Sequence, residues 1–240
     1  MSSMKRRFSQ TWTASSVPPA SKKPKRDEVV KAPAKAPVDD ESDEEGFDFS
    51  KLLKAPSNNS CYTMDNNIYF NDEISMETVA TLNKEIRSLA NKLLGVQIKM
   101  GLDTPPPIKL HLTTYGGSVH AAFSVIGCIK SCKVPIHTVI DGYVASAGTL
   151  ISVCGTKRYM HKHSSMLIHE LRSGTWGKMS LIEDEVENLK KMMTKLKEIY
   201  VDHTKLTKKE LDVILKKDND WYADECLKNG LVDEIIGDDE

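Results

Sequence analysis

One hydroxyl sits among small residues in "GYVASAGTLISVCG", which begins at Gly142 and centres on Ala145-Ser146-Ala147-Gly148. A serine hydroxyl is a poor nucleophile until a base takes its proton. If Ser146 closes the "TVIDGYV" strand and opens a helix, its side chain is exposed at the corner. The Ala147 amide then lies at a helix N-terminus, unpaired and pointing outward, as oxyanion stabilisation requires. Ala145, Ala147 and Gly148 leave room for a substrate carbonyl. The competing reading is a buried serine bonded back to its own helix.

Three further stretches could complete acyl-transfer chemistry. Gly116-Gly117 follows a strand, and glycine lets backbone approach a ligand closely. Free amides there would supply the other half of an oxyanion hole, or pair with a peptide lying alongside as an added strand. An ordinary strand-to-helix turn would look the same. His169 ends the apolar strand "SSMLIHE", where a neutral imidazole suits a general base, although a lone histidine at a strand end is more often structural. In "KKDNDWYAD", Asp218 could orient that imidazole, and Asp220 competes with it on local grounds. His161 and His163 could share one strand face, but they have no third ligand and no HExxH signature, so no metal is expected. His111, His120, His137 and His203 lack a supporting context. No cofactor is expected, and the absence of GxxxxGK[ST] argues against ATP hydrolysis by this chain itself.

The elements that must position these residues alternate. "NNIYFN" reads as a strand and "SMETVATLNKEIRSLANKLLGVQ" as a helix, with Ser75 as its cap and Val79, Leu82, Ile86 and Leu89 on one face. "PIKLHLTTY" is a strand, "SVHAAFSVIGCIKSC" an apolar helix, "PIHTVIDGY" a strand, "SAGTLISVCG" a buried helix, and "KRYMHKH" and "SSMLIHE" strand segments. After the loop "TWGKMS", a long helix runs from about Ser180 to His203. Ser180 and Glu183 form its expected capping box, and Leu181, Ile182, Val186, Leu189, Met193, Leu196 and Tyr200 form an apolar stripe. Thr207 and Glu210 cap a further helix. "WYADECLKNGLVDEII" closes the chain as a short helix stopped by Gly230 and followed by a strand. The alternation predicts an α/β fold with buried, largely parallel strands.

Composition agrees with one sizeable core. The 240 residues are 40% apolar and 28% charged, and a net charge of -1 gives no general sign of nucleic-acid binding. No apolar run reaches the roughly 18 residues needed to span a membrane, and no secretory segment opens the chain. The five cysteines are scattered without a CxxC pair, and read as reduced core residues of a soluble intracellular protein, cytoplasmic by default. Residues 1–55 stand apart as a charged tail expected to be disordered, with the globular domain over 56–240. "KKPKR" fits a nuclear address, and the acid-free first 26 residues fit a transit peptide equally well.

Each signal alone is weak, but their order and spacing are specific. "YGGSV", "GYVASAGTLI", "MLIHE" and "KEIYVDHTKLTKKELDVILKKDNDWYADECLKNGLVDEII" together resemble the proteolytic subunit family of the Clp protease (ClpP), over about residues 66 to 237. The resemblance implies a Clp/crotonase-like fold of repeated ββα units with a protruding handle helix. It implies a serine endopeptidase acting on polypeptides, with Ser146 as nucleophile and His169 as base. It places the aspartate on Asp218, because the spacing from His203 to Ala223 fits without a gap. The Gly117 and Ala147 amides take the oxyanion positions, and Gly116, Ser118 and Val119 belong to the edge that pairs with substrate. The Ser180–His203 helix resembles the handle that interlocks two rings, so a homo-oligomer of stacked seven-membered rings with inward-facing sites is expected.

Departures from the family pattern are local. Tyr115 stands where the family has proline before the glycine pair, and Glu170 where it has glutamine after the histidine. No counterpart of the family's N-terminal axial segment precedes "NNIYF". Docking of an AAA+ unfoldase, which uses that face in the family, therefore does not carry over by residue. Four other readings remain open: a non-catalytic ring or scaffold subunit, an acyl-CoA enzyme of the same fold, a Ser/Lys peptidase, and a processing protease that needs no unfoldase, as in capsid maturation.

Overall fold

The computed structural model describes residues 60–237. The expected tail over residues 1–55, with its two addresses, lies outside the described residues. Chain order is β1 (Cys61–Met64), β2 (Asn67–Phe70), α1 (Met76–Met100), β3 (Ile108–Thr114), α2 (Val119–Ser131), β4 (Ile136–Ala145) and α3 (Ala147–Ser152). There follow β5 (Lys157–His161), β6 (Ser165–Leu167), α4 (Met179–His203), α5 (Lys208–Ile214), β7 (Asp220–Tyr222), α6 (Ala223–Lys228) and β8 (Glu234–Ile236). The strands form one sheet in the order β1-β2-β3-β4-β5-β8, with β6 beside β4 and β7 beside β6. Pairing is parallel except in the β1–β2 and β6–β7 pairs. This is the mixed α/β architecture of a Clp/crotonase-like fold.

One face of the sheet is the core. Along β3, Ile108, Leu110, Leu112 and Thr114 are buried, while Lys109, His111 and Thr113 face the other way. α1 lays Val79, Leu82, Ile86, Leu89 and Leu93 on that core at helical spacing, and each such burial is worth about 1.5–3 kcal/mol. Its ends are as the sequence indicates. Ser75 accepts from the Thr78 amide, and the helix stops at Gly101 in the left-handed region.

β4 carries the architecture toward the site. Its early residues pair with β5 from His137 to Ile140, and its late residues pair with β6 from Tyr143 to Ala145. Leu112 pairs with Ile140 but Thr114 with Val144, so β4 bulges between them and its end is re-aimed. The carboxyl ends of β3, β4 and β6 then meet at one edge of the sheet, the ordinary place for a ligand in a parallel α/β fold.

The structure differs from expectation at three elements. β1 and β7, of four and three residues, carry too short a pattern to be seen. α4 begins at Met179 after Lys178, which has no side-chain cap bond, so the Ser180–Glu183 capping box is not formed. Ser180 is already the second helical residue, past the position from which a hydroxyl can accept. Of the expected stripe on this helix only Leu196 and Tyr200 are buried.

Candidate active site

Ser146 sits at the corner between β4 and α3 with φ 54 and ψ -125, a region non-glycine residues rarely enter. Such a conformation costs on the order of 1–3 kcal/mol and persists only where neighbours fix it. Here its N–H donates to the Leu167 carbonyl of β6 at 2.8 Å. Its carbonyl accepts from the Thr149 amide at 3.0 Å and from Thr149 Oγ1 at 2.6 Å. Thr149 Oγ1 lies 2.6 Å from the Tyr200 hydroxyl, and because the threonine proton goes to Ser146, the tyrosine is the donor. Ser146 is half-buried and makes no cap bond to its own helix, so the reading as a back-bonded buried serine fails.

The glycine pair is held by Ile74. The Ile74 N–H donates to the Gly116 carbonyl at 2.8 Å, and the Ser118 N–H donates to the Ile74 carbonyl at 2.7 Å. In such a parallel bridge the residue between, Gly117, turns its own N–H away from Ile74. Both glycines have positive φ, 95 and 142 degrees. A Cβ on Gly116 would stand 2.6 Å from Ser146 Cβ, and one on Gly117 would stand 2.4 Å from the Ile74 oxygen. Backbone thus passes against the serine with no side chain between them. Ser118 is spent on structure: its hydroxyl caps α2, accepting from the Ala121 amide at 3.3 Å.

A cavity of about 220 Å³ opens here, lined by Gly117, Val119, Ser146, Ala147, His169 and Tyr200 among others. The last pair of the β4–β6 ladder is Ala145 with Leu167, so Ser146 and His169 both follow directly from neighbouring strand ends and reach the same cavity. His169 is half-buried, and its Nδ1 is fully buried with no hydrogen-bond partner.

Asp218 is not on that nitrogen. Its carboxylate takes a charge-assisted hydrogen bond from the Arg172 guanidinium, on the exposed side of the site. Asp220 instead accepts from the Tyr143 hydroxyl at 3.2 Å. Burial first, then Asp220, pushes the Tyr143 phenol up to about 12, so it stays a donor at neutral pH. Sequence reasoning therefore found the residues of the cavity but missed Arg172, and read Tyr200 only as core. Neither carries a local signal, since one is a lone loop arginine and the other lies in an apolar stripe.

Among the described residues no group of three or more His, Cys, Asp or Glu could hold a metal ion. The five cysteines are free, and burial pushes the Cys61 and Cys154 thiols up to about 11 and Cys226 up to about 12, which keeps them unreactive. No helix among the described residues is long and apolar enough to cross a membrane.

Comparison with known proteins shows the family. The sequence model of the Clp protease family matches residues 60–239. The ATP-dependent Clp protease proteolytic subunit of Streptococcus salivarius is 29% identical over 173 residues, 70% of this chain and 87% of that protein. The subunit of the same name from Streptococcus thermophilus is 30% identical over 169 residues, 69% and 85% of the two chains. That from Streptococcus mutans is 31% identical over 173 residues, 70% and 87%. With three-quarters of its length inside the family's pattern, this chain belongs to the Clp protease family.

Proposed function

We propose that this protein is a serine endopeptidase that cleaves unfolded proteins or peptides within an oligomeric chamber. The observation that carries the reading is the convergence of Gly117, Ser146, Ala147 and His169 on one cavity at the ends of β3, β4 and β6. A peptide lies extended beside Gly117, on the side of the backbone turned away from Ile74, just ahead of α2. Its scissile carbonyl carbon meets Ser146 Oγ, and its oxygen points at the Gly117 and Ala147 amides. His169 takes the hydroxyl proton as the C–O bond forms, then gives it to the leaving amine as the C–N bond breaks. Water repeats the sequence to free Ser146. Asp218, once on Nδ1, fixes the tautomer and stabilises the imidazolium. The related subunits are named ATP-dependent. The sequence here has no phosphate-binding loop, so any ATP requirement would be met by a separate subunit.

The test is a fluorophosphonate probe on the full chain, with the adduct mapped by mass spectrometry and Ser146→Ala as control. Labelling at Ser146 is expected. Ser146→Ala should abolish peptide turnover with the fold intact, and His169→Ala should cost comparably, roughly 10⁴- to 10⁶-fold. The engagement of Asp218 by Arg172 favours one second reading, a non-catalytic ring subunit. Absence of labelling in a sample shown by light scattering to be assembled would establish that reading instead.

A further inference from the structure

The β6–β7 ladder pairs Leu167 with Asp220 and then stops. Continued by two residues, the same antiparallel register sets Asp218 directly opposite His169, with both side chains on one face. The ladder does not continue. The Glu170 N–H donates instead to the Leu215 carbonyl at 2.7 Å. The Asp218 carboxylate is held by Arg172, and His169 Nδ1 is left buried and unpartnered. Arg172 itself lines the cavity that holds Ser146 and His169.

We propose that Arg172 is a positioning residue that competes with His169 for the Asp218 carboxylate and so holds the subunit in a resting state with its triad unassembled. The inference rests on the peptidase reading given above. Physical chemistry sets the contest. A guanidinium is always charged, whereas an imidazole acquires its charge only as the serine proton arrives. At rest the carboxylate therefore goes to the arginine. Against this stands the buried Nδ1, which gains a hydrogen bond only if Asp218 returns. The ion pair is the weaker kind, since its side chains are 70% and 56% exposed. Resting and assembled arrangements are thus close in free energy, and a substrate strand or a neighbouring subunit that displaces Arg172 would shift the balance.

Replacing the arginine tests this. In Arg172→Leu, Ser146 should label roughly two- to fivefold faster than in the parent, the range an exposed ion pair controls. Added salt, which screens the pair, should speed the parent and leave Arg172→Leu unchanged. Arg172→Lys should fall between them. Adding Asp218→Asn to Arg172→Leu should erase the gain, which a merely structural arginine would not predict. Crystal structures of parent and Arg172→Leu give a readout independent of reactivity: Asp218 should come within about 3 Å of His169 Nδ1 in the variant alone. If Asp218 stays away from His169 in the variant, the competition is refuted, whatever the labelling. If Asp218 moves onto His169 and Ser146 still fails to label, the competition stands and the peptidase reading falls.

Discussion

Gly117 has no room for a side chain, and in the proposed reaction its amide would receive the oxyanion. Alanine there would put Cβ 2.4 Å from the Ile74 oxygen, at a φ of 142 degrees, so the backbone has to turn. Removal of one oxyanion donor costs about 10² to 10³ in kcat. Gly117→Ala should therefore cut kcat by at least that much while leaving KM nearly unchanged, as steady-state kinetics on a short peptide would read. A parallel loss confined to KM would mean that the amide binds substrate without stabilising charge. Ser146, His169 and the glycine pair were legible in the sequence through their order and spacing, since each alone also has a structural reading. The choice between Asp218 and Asp220 was not legible locally, since both are exposed acids in one loop. Register separates them: Asp220 faces Leu167 and binds Tyr143, whereas the same register carried two residues further would set Asp218 opposite His169. Arg172 had no signal, because its meaning lies in a partner 46 residues away.

The C-terminal end of α4 does for the Ser146 turn what no residue of that turn can do alone. The Tyr200 hydroxyl donates to Thr149, which donates to the Ser146 carbonyl, so the long helix is wired to the strained corner. Burial raises the Tyr200 phenol well above its ordinary value and keeps it a donor at all working pH. Tyr200→Phe should lower stability by about 1 kcal/mol, or about 2–4 °C in Tm by calorimetry, and should lower kcat further than that loss explains. An unchanged kcat would show that the wire is structural only. Arg158 on β5 ties the same end of that helix. It donates to the carbonyls of His203 and Gly230 and to Asp233, whose carboxyl it holds below its ordinary value. That contribution is complete above pH 3.8 and is lost as pH falls through the lower folded value. Arg158→Met should flatten the acid limb of the stability curve and lower Tm at neutral pH, as denaturation followed across pH would show. Long elements with a hydrophobic period were legible in the sequence, including α1, α4 and β3. The three-residue β7 was not, although it is the strand that carries the register to Asp218.

α4 is about 37 Å long for its 25 residues, yet only Leu196 and Tyr200, in its last third, are buried. Met193 packs partly on the core, and Ile182 and Leu189 are half-buried, but toward the N-terminal end the stripe opens outward, with Leu181 at 56% and Val186 at 42% exposed, and Met179 and Trp176 at its root more so. The sequence showed this stripe plainly but could not say what it packs on, because periodicity reports a face and not its partner. An apolar face of this length on one subunit calls for a second copy, in keeping with the proposed ring assembly. Leu181→Glu combined with Val186→Glu should then give a smaller species by sedimentation velocity, with the folded subunit unchanged by circular dichroism. Met100→Glu, on an equally open residue at the end of α1, serves as the control and should sediment like the parent. The consequence for the site follows from connectivity. Arg172 lies in the segment that leads into α4, and Tyr200 lies at its end, so a helix seated by a partner holds both sides of the Ser146 cavity. The double glutamate variant should accordingly label Ser146 more slowly than the parent, by roughly tenfold, an effect of about 1.4 kcal/mol on the barrier. A variant that sediments as a smaller species and labels at the parental rate would separate assembly from site geometry, leaving Arg172 as a control internal to the subunit.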